Sequence, residues 1–398
     1  MKINGKRIEN NLLTVGMIGE DPTGGVTRSG FSKEYYEAVN ELIKLFEKEE
    51  LNVEVDGVGN VIGRREGNHD LPAIMIGSHL DTVKNGGLLD GALGVFAALE
   101  CIVTLNENNY KTNHPIEIVA FNAEEGSEMG GTFGSRVVVG KQNIEEKNLE
   151  KKLSKYDLTI EDILKSQRNP DDIKAFLELH IEQGGYLEDR NLSIGVVDGI
   201  AGITRYGIKI KGEANHAGTT PMDLRKDALT MAAKLLLKID EVAQSIGRPF
   251  VATVGQLCIK PNAVNVIPGE IELVLEMRDM NRDNIEYAIT EIKKFANEME
   301  AFDFVIELLI DKPNVDTDSK IMKTIEKVCL DNEIDYDIMS SGAGHDAKEM
   351  AAKVPIGMIF VPSKDGKSHC PEEYTSWEEI EVGAQVLFDT LIGLDSDV

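Results

Sequence analysis

The residues best suited to chemistry fall first in one stretch, residues 77–94, which reads GSHLDTVKNGGLLDGALG. It offers the imidazole of His79, the carboxylate of Asp81 two residues on, and the carboxylate of Asp90 nine residues after that. Imidazole and carboxylate together suit a divalent metal. A second acidic group follows at Glu124-Glu125. Adjacent side chains point in different directions, so one of the pair can hold a metal while the other faces a reacting water. A third group, Glu178, His180, Glu182 and Gln183, follows at 178–183, and His369 lies near the carboxyl end of the chain. Any one of these, taken alone, is equally a polar turn or a solvated acidic corner. Together, His79, Asp90, Glu125, His180 and His369 make three imidazoles and two carboxylates with no thiolate. That mixture suits Zn²⁺, Mn²⁺ or Co²⁺ in a reactive site better than a cysteine-rich structural zinc site. Five donors exceed one tetrahedral ion with an open position, but they suffice for two ions if one carboxylate bridges. Such a pair polarises an oxygen and lowers the pKa of a bound water.

The surrounding pattern supplies elements to position these groups. Residues 73–76 and 116–121 are short continuous apolar runs of the kind buried parallel strands show. His79 and Glu124-Glu125 each sit just past the carboxyl end of one, where open α/β sheets collect ligands. Residues 175–180 read as a third strand, with His180 on a different face from Leu177 and Leu179. Residues 8–20 and 33–50 have helical spacing, 52–55 and 60–64 alternate as a hairpin, and 141–173 reads as charged surface helices. From residue 203 the order becomes strand 203–211, helix 223–246, strands 250–259 and 271–277, helix 284–299 and strand 303–310. That is βαββαβ, the ferredoxin-like order. After residue 313 the α/β alternation resumes, with a glycine-rich turn at 340–346 and a loop at 366–373 before a last helix. The expected organisation is therefore a mixed-sheet α/β domain over 1–202 and 313–398, with a ferredoxin-like domain inserted at 203–312.

Composition narrows the function classes. At 398 residues, two domains are the natural expectation. The formal net charge of -27 argues against nucleic acid or an anionic membrane as partner. No apolar run approaches a membrane span, and the first residues lack the apolar core of a signal peptide. Cys101, Cys258, Cys329 and Cys370 form no close pair, so they read as reduced, mostly buried thiols of a cytoplasmic protein.

Eight segments, in order, carry a resemblance to a known family. They are GSHLDTVxxGGxxDG at 77–91, NAEEG at 122–126, ELHIEQG at 178–184 and GxANHAGTTPMxxRxDA at 212–228. PNAVNVIPG at 261–269, RD at 278–279, GAGHDA at 342–347 and SHxPEE at 368–373 complete the set. The chain resembles the M20-type metallohydrolases, and within them the branch of N-carbamoyl-L-amino acid hydrolases and allantoate amidohydrolases. His180, where other branches place a carboxylate, points to that branch. The resemblance implies a metallopeptidase-like catalytic domain with an inserted lid and dimerisation domain. It implies one ion on His79, Asp90 and His180 and another on Asp90, Glu125 and His369. Glu124 would be the general base, and Asp81 would orient His79 with its carboxylate. Gln183, His216, Asn265, Arg278 and Gly344 match substrate-contacting positions. Arg278 would pair with a substrate carboxylate and His216 would stabilise the oxyanion from across a homodimer. One departure stands out: Glu128-Met129 occupies positions where many relatives carry Arg-Phe, which bears on the pocket rather than the metals. The expected reaction is hydrolysis of an N-carbamoyl-L-amino acid to the L-amino acid, CO₂ and ammonia. Alternatives are allantoate hydrolysis, an M20-type dipeptidase or aminoacylase, and a non-catalytic metal-binding scaffold.

Overall fold

The computed structural model describes residues 1–396. The chain divides into two compact units, one made of residues 1–198 and 316–398 and the other of residues 199–315.

The first unit is built on a mixed sheet. Seven of its strands run in the order Asn52–Val55, Val61–Arg65, Ile116–Phe121, Ala73–His79, Ile173–Ile181, Ile356–Val361 and Ile194–Ile200, and Tyr336–Ser341 also pairs with the last of these. The four strands from Ile116–Phe121 to Ile356–Val361 are mutually parallel, and the flanking pairs are antiparallel. Nearly every residue of the four parallel strands is buried, as a sheet covered on both faces requires. The helix Ala92–Glu107 is buried all round from Ala92 through Leu105, its one buried charge, Glu100, paired with Arg7 at 2.7 Å, and it packs on the sheet beside the last helix, Trp377–Ser396. Among the described residues, no helix is long and apolar enough to cross a membrane.

Three local expectations are corrected. Residues 8–20 are not one helix: Gly5–Asn11 is α-helical and Leu12–Gly16 widens into π geometry. Residues 141–173 form only short helical pieces before the strand that starts at Ile173: the helices Leu149–Leu153 and Ile160–Lys165, the latter closed by a reciprocal Thr159–Asp162 cap, and the 3₁₀ turns Ser154–Tyr156 and Pro170–Asp172. Their apolar stripe is not spread on the surface. Leu149, Leu153 and Ile163 are buried with Phe31, Ala123, Met129 and Phe133 in a satellite core. Two of the four thiols, Cys101 and Cys329, are buried, whereas Cys258 is exposed on the edge strand Val251–Lys260.

The second unit carries a four-stranded antiparallel sheet in the order Asp303–Lys312, Gly202–Lys211, Glu270–Asp279, Val251–Lys260. Helices Ala228–Ile246 and Arg282–Glu298 cover one face. The first helix begins at Ala228 rather than 223, because Asp227 caps it by accepting from Leu229 and Thr230. The residues before it form a single 3₁₀ turn, Met222–Leu224.

Candidate metal centre

Four neighbouring parallel strands deliver the first unit's chemistry to one end of the sheet. His79 is the last residue of its strand, and Glu124-Glu125 follow Phe121, which lies in register with His79. His180 is the last residue but one of the neighbouring strand Ile173–Ile181, paired with Phe360, and beyond Val361 the chain loops out to His369. Asp90 comes from the glycine-rich turn before the buried helix. Three residues at this rim hold positive φ without being glycine: Ala123 at 58°, Gln183 at 61° and His369 at 58°. Such conformations persist where surrounding contacts over-determine them, and they cluster at functional sites.

Asp90 is the centre of the arrangement. Its Oδ1 lies 3.1 Å from His180 Nε2 and 3.5 Å from His79 Nε2, while its Oδ2 lies 3.0 Å from His369 Nε2. His369 Nε2 is also 3.4 Å from Glu125 Oε1. One carboxylate thus turns one oxygen to each of two donor groups: His79, Asp90 and His180, and Asp90, Glu125 and His369. Within each group the ligand atoms lie within 4.8 Å of one another. Both buried imidazoles are oriented by main-chain carbonyls: His79 Nδ1 lies 2.9 Å from the Asp81 carbonyl, His180 Nδ1 2.8 Å from that of Ile181. Each therefore presents Nε2 to Asp90.

The Asp81 side chain departs from expectation. Its carboxylate is 3.8 Å from His79 Nδ1, too far for a hydrogen bond. It instead accepts the backbone N–H groups of Glu124, at 3.0 Å, and Glu125, at 3.1 Å. Asp81 therefore orients His79 through its main chain and fixes the acidic pair through its side chain.

The charges are strongly coupled. Burial resists ionisation of Asp90, but hydrogen bonds from His180, His369 and His79 hold its carboxyl well below the usual range. Burial, then repulsion from Asp346, Glu125 and Asp81, pushes Glu124 well up despite His79. Burial and the Asp90 charge push Glu125 up to about 7. The hydrogen bond to Asp90 raises His369 to about 9 against its burial. Crowded carboxylates that repel one another, beside imidazoles aimed at the same point, suit a shared cation. Glu125 Oε1 is buried without a hydrogen-bond partner. That orphaned oxygen and the nitrogen–oxygen donor set fit divalent metal.

The remaining predicted residues divide between the units. Gln183 stands in the centre, its Nε2 donating to Asp90 Oδ2 at 2.9 Å. Gly344 is exposed, and a side chain added there would meet open space. His216, Asn265 and Arg278 belong to the second unit. His216 is exposed and bridges to Val266, next to Asn265, and its Nδ1 accepts from Gly218 N–H at 3.0 Å. Arg278 lies on the inner strand Glu270–Asp279, ion-paired with Glu276 at 2.7 Å. Glu128 turns outward to Lys155, at 2.7 Å, and to Tyr156, while Met129 enters the satellite core.

A model of peptidase family M20/M25/M40 matches residues 75–392. The chain belongs to this family. An N-carbamoyl-L-amino acid amidohydrolase of Geobacillus stearothermophilus is 39% identical over 402 residues, covering 98% of each chain. An allantoate amidohydrolase of Escherichia coli is 35% identical over 395 residues, covering 96% of this chain and 95% of that one. The crystal structure of a hydantoinase/carbamoylase-family amidase from Burkholderia multivorans superposes with a TM-score of 0.90 at 30% identity, covering 100% of this chain and 99% of that one. This M20 protein is accordingly a hydrolase of C–N bonds on an α/β mixed-sheet fold, in a metal-dependent family.

Further buried polar residues stand at or beside these strand ends. Glu178 shares the His180 face of its strand and is fully buried, accepting from Ser78 Oγ at 2.6 Å and Ala347 N–H at 2.9 Å. His345 packs edge-on to His180 with ring centroids 4.6 Å apart. Arg28 is buried, donating to the carbonyls of Leu80, at 2.7 Å, and Ile18, at 2.8 Å, so it ties the first loop to the His79 strand end. Alternation marks Glu178 as a face-mate of His180; Arg28 gives no local signal, since its partners are distant in the chain.

Proposed function

We propose that the protein hydrolyses the ureido C–N bond of an N-carbamoyl-L-amino acid, taking up water and giving L-amino acid, CO₂ and ammonia. The observation that carries this reading is Asp90, whose two oxygens face two separate groups of ligand atoms. His79, Asp90 and His180 would hold one divalent ion, and Asp90, Glu125 and His369 the other. Zn²⁺, Mn²⁺ and Co²⁺ all suit these donors. Such ions polarise the carbamoyl oxygen and lower the pKa of the attacking water.

The other steps fall to the chain's own groups. Glu124 Oε2 lies 3.9 Å from His79 Nε2, at the edge of the centre, and its raised proton affinity suits a general base. It takes the proton of the attacking water and returns it to the leaving nitrogen. Gln183 and Gly344 line the approach, the amide as a hydrogen-bonding group and the glycine by leaving room. Asn265 and Arg278 bind the substrate, with Arg278 pairing its carboxylate through a planar fork. His216 steadies the oxyanion as water adds.

The same reading includes a two-fold homodimer through the second unit, in which His216 of each subunit serves the other's centre. Two features support it. Val251–Lys260 is an edge strand, with Val251 and Leu257 among its exposed residues, and such an edge invites pairing with a second copy. His216 is itself exposed. The free thiols suit a reducing cytoplasmic setting.

Allantoate is the closest competing substrate, because relatives of 34% and 35% identity act on it. A panel on metal-loaded protein tests the reading: N-carbamoyl-L-amino acids, their decarboxylated counterparts, allantoate, N-acyl-L-amino acids and dipeptides. N-carbamoyl-L-amino acids should release ammonia and free amine in equal amounts, and the decarboxylated compounds should be poor. Cleavage of N-acyl-L-amino acids or dipeptides alone would replace the reading with an aminoacylase or dipeptidase.

A further inference from the structure

The two ligands that lie furthest apart in the chain around the second donor group, Asp90 and His369, are joined by a residue that is itself no ligand. Glu373 is buried, 7% exposed, and its carboxylate is divided between two loops. Oε1 accepts the backbone N–H groups of Leu89 at 2.9 Å and Asp90 at 3.0 Å. Oε2 accepts the His369 N–H at 3.3 Å and shares the Ser368 hydroxyl, at 2.9 Å, with Asp90 Oδ2, which lies 3.0 Å from the same hydroxyl oxygen. All four donors belong to residues that either carry a ligand atom or adjoin one that does. The loop at 87–90 also closes over this carboxylate, since a Cβ at Gly87 would fall 2.0 Å from Glu373 Oε1.

The His369 end needs such a hold. Its side chain is half exposed, and its backbone sits at φ 58°, a region that non-glycine residues adopt only under constraint. The bond from His369 N–H to Glu373 is made at that residue. Asp90 faces a different situation, being buried and the first residue of a turn that leads directly into a buried helix. The geometry points to Glu373 as the positioning residue that sets the His369 loop against Asp90 and so forms the second donor group. This inference rests on the two-ion reading above, and it assigns Glu373 no contact with substrate or ion.

The chemistry of the amide substitution makes the assignment testable. In Glu373→Gln the amide oxygen can still accept from Leu89 and Asp90, and its NH₂ then faces Ser368 and His369. The Ser368 hydroxyl can turn to accept, but the His369 N–H meets another donor and loses its partner. The opposite flip sets the NH₂ against two backbone donors and is worse. The variant should therefore keep the Asp90 end and release the His369 end. A carboxylate that merely supported the fold would show no such asymmetry.

The experiment is Mn²⁺ titration of chelator-treated full-length protein, with free Mn²⁺ counted by electron paramagnetic resonance. Wild type should bind two ions. Glu373→Gln should bind the first with wild-type affinity and the second about 10–100-fold more weakly, the usual range when a group supporting a ligand is lost. Excess Mn²⁺ should refill the second site. Ser368→Ala removes, without introducing a clash, a hydroxyl that lies 2.9 Å from Glu373 Oε2 and 3.0 Å from Asp90 Oδ2, both on the second donor group's side, and should weaken the second ion alone by several-fold. Two ions at wild-type affinity in both variants would overturn the assignment while leaving the two-ion reading intact. Equal weakening of both ions would also overturn it, because Glu373 would then be holding the centre as a whole. Fewer than two ions on wild type would overturn the two-ion reading itself and the inference with it.

Discussion

Gly91→Ala is the sharpest probe of the first donor group. Gly91 stands at φ 68°, ψ −52°, between Asp90 and the buried helix. A Cβ there would lie 2.3 Å from His79 Cε1, 2.4 Å from Nδ1 and 2.5 Å from Cγ. Those distances fall about 1 Å short of ordinary van der Waals contact. Two costs follow. Holding an L-residue at this φ, ψ costs about 1–3 kcal/mol, and forcing a methyl into a packed ring costs about 1–3 kcal/mol more. The ring is buried and anchored through Nδ1 to the Asp81 carbonyl, so it can yield only by breaking that bond or moving Nε2 away from Asp90. Metal affinity should therefore suffer beyond stability: about 3 kcal/mol at the site is more than a hundredfold in Kd. Gly24→Ala is the control, because Gly24 has φ 97° and nothing within 4 Å of its Cβ position. Metal titration and thermal unfolding of the two variants side by side give the answer. Gly24→Ala should lose stability alone, whereas Gly91→Ala should lose stability and one ion. If Gly91→Ala held both ions as tightly as wild type and unfolded with Gly24→Ala, the proposed placement of the His79 ring as a ligand would be refuted.

Two further outcomes follow from the proposed roles. Glu124→Gln should retain two ions but lose about 10²–10⁴ in kcat, while Glu125→Gln should lose the second ion; metal analysis of both variants checks this, and an emptied site in Glu124→Gln would reverse the pair. Co-expressed Glu124→Gln and His216→Ala chains should regain roughly a quarter of wild-type activity, because about half the dimers are mixed and each has one complete site. Differentially tagged mixed dimers that stay inactive would reject the exchange of His216.

The placement of the candidate ligands at strand ends was legible because the strands themselves are. Residues 73–76 and 116–121 are unbroken apolar runs, and a run buried on both faces has few alternatives to a parallel strand. The chemical groups then follow at the strand ends. What alternation and spacing do not encode is which atom of a residue turns to which neighbour. Asp81 supports His79 with its carbonyl and Glu124 with its carboxylate, a division fixed by the path of the main chain. Glu373 was visible only as part of SHxPEE, since its partners at Leu89 and Asp90 lie some 280 residues away. Residues 141–173 read as solvated helices because their apolar stripe is thin. The partners of Leu149 and Ile163, such as Phe31 and Phe133, come from distant segments. Cys258 is exposed because it stands opposite Glu272, on the sheet face that the two helices leave open.

The central claim is that a two-ion centre shared through Asp90 hydrolyses a carbamoyl group. The direct measurement is ammonia release from an N-carbamoyl-L-amino acid as the stripped enzyme is reloaded, with bound ions per subunit counted by elemental analysis. Turnover should be absent in the stripped protein and reach its maximum only at two ions per subunit. Full turnover in protein shown to be metal-free, or a maximum at one ion, would contradict the account.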